Sequence, residues 1–157
     1  MSQWVVSVER VVAAPPEKIW ALVADPRRHQ DINGNDTVRE AFDTPEKLSL
    51  GSTFGMNMEF GGEYTMTNTV IEYDENRRIA WQARPTEGGA KWRRALFGGR
   101  IWRYELEPVD GGTRVRESWD VSQEGQFGTR YLVRLYGAKT KTNMQRTLDR
   151  INTLATT

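Results

Sequence analysis

Residues 11–29 read VVAAPPEKIWALVADPRRH, and within them the chain passes from one backbone period to another. The leading valines belong to a β-rich run over 3–13 in which apolar and polar residues alternate. Pro15 and Pro16 suit a helix start, where a missing N–H costs nothing, and Glu17 favours the positive end of the helix dipole. Ile19, Trp20, Leu22 and Val23 form an apolar stripe. Asp25-Pro26 stops it, because a residue before proline is pushed out of the helical region. PRRHQDINGND (26–36) reads as a short helical turn and then loop, with a bend at Asn33-Gly34. A strand feeding two short helices is therefore the first unit.

Beyond it the pattern is mostly strand. Strands are expected at 37–42, 53–60, 63–73, 78–84, 100–107 and 113–121. They are separated by Gly61-Gly62, DENR (74–77), PTEGGAKWRRALFGG (85–99) and PVDGG (108–112), all rich in turn formers. No crossover helix interrupts this series, so the sheet is expected to be antiparallel. After Gln126 the period becomes helical: Leu132, Leu135, Met144, Leu148, Ile151 and Leu154 recur mostly three or four residues apart, with Gly137 placed to weaken or bend the helix. Only this last helix is long enough to cover an apolar sheet face. The predicted class is α+β with a helix-grip arrangement, as one domain over 1–157. A curved antiparallel sheet of about seven strands wraps a long C-terminal helix, and two short helices after the first strand close one end. That geometry leaves room between sheet and helix.

Composition removes several kinds of chemistry. A chain of 157 residues buries roughly two-thirds of its unfolded surface without staples. With no cysteine there are no disulfides, thiol nucleophiles or cysteine-held metals, and a single histidine, His29, excludes His-cluster metal sites. No metal or cofactor is expected. The 22 basic and 21 acidic residues nearly cancel. The pairs Arg27-Arg28, Arg77-Arg78 and Arg93-Arg94 have acidic neighbours, so nucleic acid is not an expected partner. Apolar runs fall short of the ~20 residues needed for membrane insertion. MSQWVVSVERVV lacks the pattern of a signal peptide, so a cytoplasmic location is expected; a homodimer is left open.

The hairpin FGMNMEFGGEYTMTN (54–68) raises the question of a site. A two-residue turn at Gly61-Gly62 sets Phe60 opposite Glu63, Met58 opposite Thr65, Met56 opposite Thr67 and Phe54 opposite Thr69. One face then carries Phe54, Met56, Met58 and Phe60 beside Thr65, Thr67, Thr69 and Ile71. Adaptable methionines and threonine hydroxyls suit a pocket for a mostly apolar ligand, or simply pack on the terminal helix. A bulge at the glycines would instead bring Tyr64 and Met66 to this face.

Further along, Trp102, Tyr104 and Leu106 share one face of a strand, and Val115, Glu117, Trp119 and Val121 share one face of the next. Their reverse faces, with Arg103, Glu105 and Glu107 against Arg114, Arg116 and Asp120, form a solvent-facing lattice of mixed charge. If the aromatic faces point inward, Glu117 goes with them. A buried carboxylate with a raised pKa is what acid/base chemistry on a carbonyl compound needs, unless Arg10 on the first strand neutralises it. His29 follows a basic turn and is expected to be exposed. Trp92, Leu96 and Phe97 between glycine pairs read either as a flap over a cavity mouth or as a long loop packing one aromatic down.

VVAAPPEKIWALVADPRRH, VIEYDENRRIAWQ (70–82), WRYELEPVDGGTRVRESWD (102–120) and NMQRTLDRIN (143–152) together resemble START-like proteins related to Bet v 1, in particular the bacterial polyketide cyclase/dehydrase-like (SRPBCC) group. The chain departs from the commoner pattern after His29, where relatives often carry an aromatic and this chain continues QDINGND. The resemblance implies a hydrophobic or aromatic, polyketide-like or lipid-like small molecule held in an internal cavity. Phe54, Met56, Met58, Thr65, Thr67, Trp81, Trp102, Tyr104, Glu117 and Trp119 are the lining candidates. The alternatives are a cyclase or dehydratase using Glu117 and Tyr104 for proton transfer, and a protein-interaction module with a vestigial cavity.

Overall fold

The proline pair does what its chemistry dictates. Pro15 sits extended (φ −70°, ψ 156°) as the cap of helix α1 (Pro16–Val23), whose Ile19, Trp20, Leu22 and Val23 are buried. Asp25 accepts a hydrogen bond from the Arg27 N–H at 3.0 Å and opens a 3₁₀ turn, Pro26–Arg28, which runs into the one-turn helix α2 (His29–Ile32). The computed structural model describes residues 3–88, 91–125 and 127–157, with backbone alone at 87, 93–95 and 127–129. Residues 89 and 90 of the expected flap and the side chains of Arg93 and Arg94 thus lie outside the described residues.

Seven strands follow the expected spacing: β1 (Val5–Val12), β2 (Val38–Phe42), β3 (Thr53–Glu59), β4 (Glu63–Asp74), β5 (Arg78–Gly88), β6 (Ile101–Val109) and β7 (Gly112–Asp120). They form one curved antiparallel sheet in the order β1-β7-β6-β5-β4-β3-β2. Strands β2 to β7 are sequential neighbours, while β1 joins the far edge beside β7, with Val8 opposite Glu117. Helices α1 and α2 carry the chain across from one edge to the other. A short helix α3 (Lys91–Leu96) lies in the β5–β6 connection. Helices α4 (Phe127–Arg134) and α5 (Gly137–Thr156) end the chain, and α5 packs against β1, β7, α1 and α2. The helix-grip expectation is met.

Two turns of the chain depart from the sequence reading. The β3–β4 loop holds three residues, Phe60–Gly61–Gly62, with both glycines at positive φ (64° and 134°). Glu59 therefore stands opposite Glu63, Met58 opposite Tyr64, Met56 opposite Met66 and Phe54 opposite Asn68. A one-residue slip turns every side chain of β4 over. Thr65, Thr67 and Thr69 leave the face of Phe54 and Met56, and Tyr64, Met66, Asn68 and Val70 replace them. Phe60 stays in the turn, exposed. A second irregularity between Val70 and Glu72 makes Ile71 an extra, exposed residue. Past it the inward phase resumes with Tyr73, whose ring meets Trp20 edge-on at 5.6 Å.

The C-terminal stripe also divides. At the end of α4 the bonds shorten to a tight turn, with the Tyr136 N–H donating to the Val133 carbonyl at 3.0 Å, and α5 restarts at Gly137. The restart changes which residues face the sheet. Val133, Met144, Thr147, Leu148, Ile151 and Ala155 are buried, while Leu132, Leu135 and Leu154 are exposed. The sheet's reverse face carries the expected charge lattice, including Arg103–Glu72, Arg78–Glu72, Arg114–Glu107 and Arg116–Glu9. The more exposed of these pairs contribute little stability each and mainly keep that face wet.

Candidate functional site

Alternation along β5, β6 and β7 aims three tryptophans the same way. Trp81 stands opposite Trp102, and Trp102 opposite Trp119, so the three cross the middle of the concave face in one row. One step along the strands, Ile79, Tyr104 and Glu117 form the next row, ending at Val8 on β1. The Trp81 ring lies 5.9 Å from that of Tyr104, and Trp102 lies 6.3 Å from Trp119. Trp81, Tyr104, Glu117 and Trp119 are all buried, and Trp102 is partly so.

Glu117 is therefore a carboxyl group within an aromatic and aliphatic wall. The Tyr104 hydroxyl donates to its Oε1 at 3.0 Å, and its Oε2 has no partner among the described residues. The indole N–H of Trp119, two residues along the same face, is also buried without a partner. Arg10 does not neutralise Glu117. It stands opposite Val115 and pairs with Asp149 of α5. Burial pushes the Glu117 pKa from 4.5 to about 8, against the pull of the Tyr104 hydrogen bond. Burial first, then the Glu117 charge and hydrogen bond, raises the Tyr104 hydroxyl well above its ordinary value. At neutral pH Glu117 is thus mainly a neutral acid. Tyr104 occupies one oxygen and the other is able to donate or accept.

The remaining candidates divide by register. Phe54 and Met56 are buried on the concave side, and Met58 is partly buried against the same core. Thr65 and Thr67 are on the reverse side, where the Thr65 hydroxyl meets that of Thr86 at 2.9 Å. They are not part of the wall. Within the wall Phe54 packs edge-on to Trp81 at 5.7 Å, and both belong to the buried core. An open groove of about 470 Å³ lies elsewhere, lined by Arg28 and Asp31 near α2 and by Asp149, Arg150, Thr153 and Leu154 of α5. It includes none of the wall residues.

Sequence reasoning missed two buried polar groups. His29, expected to be exposed, is stacked on Trp81 at 4.9 Å and lies edge-on to Phe54 at 5.9 Å. Its Nε2 bonds the Val23 carbonyl at the end of α1 at 2.9 Å, and burial holds its pKa below the ordinary 6.5. The sequence signal was the spacing to Ile32, three residues on, which puts both on one face of α2. Glu124, fully buried, accepts from the backbone N–H groups of Gly98 and Arg100 at 2.5 and 3.1 Å, and its Oε2 bonds the Arg100 Nε at 3.0 Å. That clamp pins the end of the β5–β6 connection. Phe97 packs down while Trp92 of α3 stays exposed. Among the described residues no group of acidic or histidine side chains is placed to hold a metal.

A long C-terminal helix held by a curved antiparallel sheet, with an aromatic inner wall and a buried acid, defines a START-like, Bet v 1-like protein. Residues 3–156 match the family model described as polyketide cyclase / dehydrase and lipid transport, and the chain belongs to that family. An uncharacterized protein of Mycobacterium tuberculosis H37Rv, Rv0088, is 36% identical over 116 residues, which are 73% of this chain and 46% of that protein. The chain thus spans just under half the length of the curated relatives it matches. Among solved structures, CV1439 from Chromobacterium violaceum superposes with a TM-score of 0.72 at 16% identity, over 98% of both chains. DynU16, from the dynemicin biosynthetic locus, gives 0.65 at 17% identity, over 98% of this chain and 48% of its own. Ara h 8.0201 gives 0.64 at 12% identity, over 97% of both. At these identities the structural likeness speaks for the fold.

Proposed function

We propose that the chain binds an apolar or aromatic small molecule, polyketide-like or lipid-like, between the sheet and α5, with a carbonyl or hydroxyl oxygen of the ligand held by Glu117 and Trp119. The observation that carries this reading is the pair of unpartnered polar atoms, Glu117 Oε2 and Trp119 Nε1, on one inner face. A buried polar group left unpaired costs about 1–3 kcal/mol, which a ligand oxygen placed between the two would recover. Methionine and a partly exposed tryptophan, Met58 and Trp102, are the wall members best able to shift aside for a guest. The family description and the biosynthetic locus of DynU16 support a polyketide-like or lipid-like guest.

The test is fluorescence titration of the full chain with anilinonaphthalenesulfonate, followed by displacement with palmitate and with a naphthyl ketone. Micromolar affinity is expected, about −8 kcal/mol. Trp119→Phe, which keeps the ring and removes the N–H, should weaken the ketone about tenfold. No displacement by either compound, or an unchanged ketone affinity in Trp119→Phe, overturns the reading and leaves the wall as the core of an interaction module.

A second reading rests on a different observation, the Tyr104–Glu117 hydrogen bond around a carboxyl group whose pKa burial raises to about 8. In that reading Glu117 and Tyr104 transfer protons at a carbon next to a bound carbonyl, as a cyclase or dehydratase requires. The same titrated complex tests it, through loss of deuterium from the ketone's α-carbon followed by NMR. Catalysis predicts exchange that Glu117→Gln slows about 10²–10⁴-fold with affinity retained. Exchange no faster than in buffer leaves binding alone.

A further inference from the structure

From Gly125 to Leu148 the chain carries Arg130, Arg134, Lys139, Lys141 and Arg146 and no acidic residue. The whole chain is nearly neutral at +1, so α4 and the first half of α5 concentrate the positive charge and the remainder is net acidic. Leu132, Leu135 and Tyr136 in the same stretch are exposed, Leu135 to 79%. They are three and four residues apart across the α4–α5 break and share one face, turned away from buried Val133. Tyr131 packs edge-on to Trp4 at 5.0 Å, with the Arg130 and Arg134 guanidinium groups 5.6 and 5.8 Å from the Trp4 ring. The Lys139 ammonium lies 5.7 Å from the ring of Phe60, itself exposed at the β3–β4 turn. Among the described residues, Lys139, Lys141 and Arg146 have no carboxylate partner. The face therefore extends from the tip of one hairpin across the helix break, apolar and aromatic with cations among the rings.

We propose that this face docks on the surface of an anionic phospholipid bilayer. Leucine and tyrosine side chains that water now covers would enter the headgroup layer, and the unpaired cations would meet lipid phosphates. Exposed leucines alone would suit a second copy of the chain. A twofold dimer, however, sets a patch against itself and brings like charges of this basic stretch together. Charge complementarity selects the bilayer. Docking is peripheral, since among the described residues no helix is long and apolar enough to cross a membrane. The inference does not depend on the ligand site, since none of the residues it rests on is among those proposed to hold the ligand.

Sedimentation of the full chain with sucrose-loaded vesicles tests it, using phosphatidylcholine alone and phosphatidylcholine mixed with phosphatidylglycerol. Binding to the mixed vesicles is expected to be about tenfold or more stronger than to the neutral ones, and to fall as salt is raised. Leu135→Ser with Tyr136→Ser, and separately Lys139→Glu with Lys141→Glu, should each reduce binding about tenfold while leaving the thermal melt in place, because all four side chains are exposed. No binding, equal binding to both vesicles, or variants that bind like the parent overturn the proposal. So does self-association in the ultracentrifuge that Leu135→Ser abolishes, which would assign the face to a second copy.

Discussion

At the scale of single residues, Glu117 sets the chain's response to pH. Its pKa is about 8 in the folded chain, against 4.5 as the ordinary value. Between those values the unfolded chain releases the proton while the folded chain keeps it. The stability that the neutral acid provides is whole below about pH 4.5, declines as pH rises, and is gone above about pH 8. His29 works in the other direction. Its folded pKa lies below 6.5, so its contribution declines as pH falls through 6.5. Glu117→Gln should keep the Tyr104 hydrogen bond and remove the first dependence. Urea unfolding should then show the variant near the parent at about pH 5 and more stable by on the order of a few kcal/mol at about pH 8. A parent whose stability is flat over that window, with the His29 contribution removed by His29→Gln, would show that Glu117 is not a buried neutral acid.

At the scale of elements, Glu124 joins two loops rather than two strands. Its carboxylate holds Gly98 and Arg100 from the β5–β6 connection while its own residue sits past the end of β7. Glu124→Ala leaves two backbone N–H groups and a guanidinium without their acceptor and should cost about 3 kcal/mol in urea unfolding. Glu124→Gln keeps an acceptor and should cost less than half as much; equal costs would mean that the charge, not the clamp, matters. Nothing local in "SQEG" (122–125) announces this role, since the groups that Glu124 binds are more than twenty residues away. The strands and helices themselves were legible, because period, proline and glycine act over a few residues. The inward aim of Glu117 and Trp119 was legible for the same reason. The face of Thr65 and Thr67 was not: one extra residue in the Phe60–Gly62 turn inverts a whole strand, and turn length is decided by the packing of both arms. Leu132 and Leu135 misled in a related way, since a helix break resets the phase that a periodic stripe assumes.

At the scale of the molecule, α5 is one wall of the core, with Met144, Thr147, Leu148, Ile151 and Ala155 buried against the sheet and the short helices. Deleting residues from Met144 onward should abolish the cooperative thermal transition, since it removes the helix that covers β1 and β7; a truncated chain that still melts sharply would refute the arrangement. The strand order has a consequence in time as well as in space. β1 leaves the ribosome well before its partner β7, which ends at Asp120, the residue that Val5 faces. During synthesis the early strand must wait, with its backbone groups on water, until more than a hundred further residues have emerged. The nascent chain therefore completes its fold late and slowly, as high contact order requires, and its growing sheet offers an open edge to chaperones or to other nascent chains until β7 arrives.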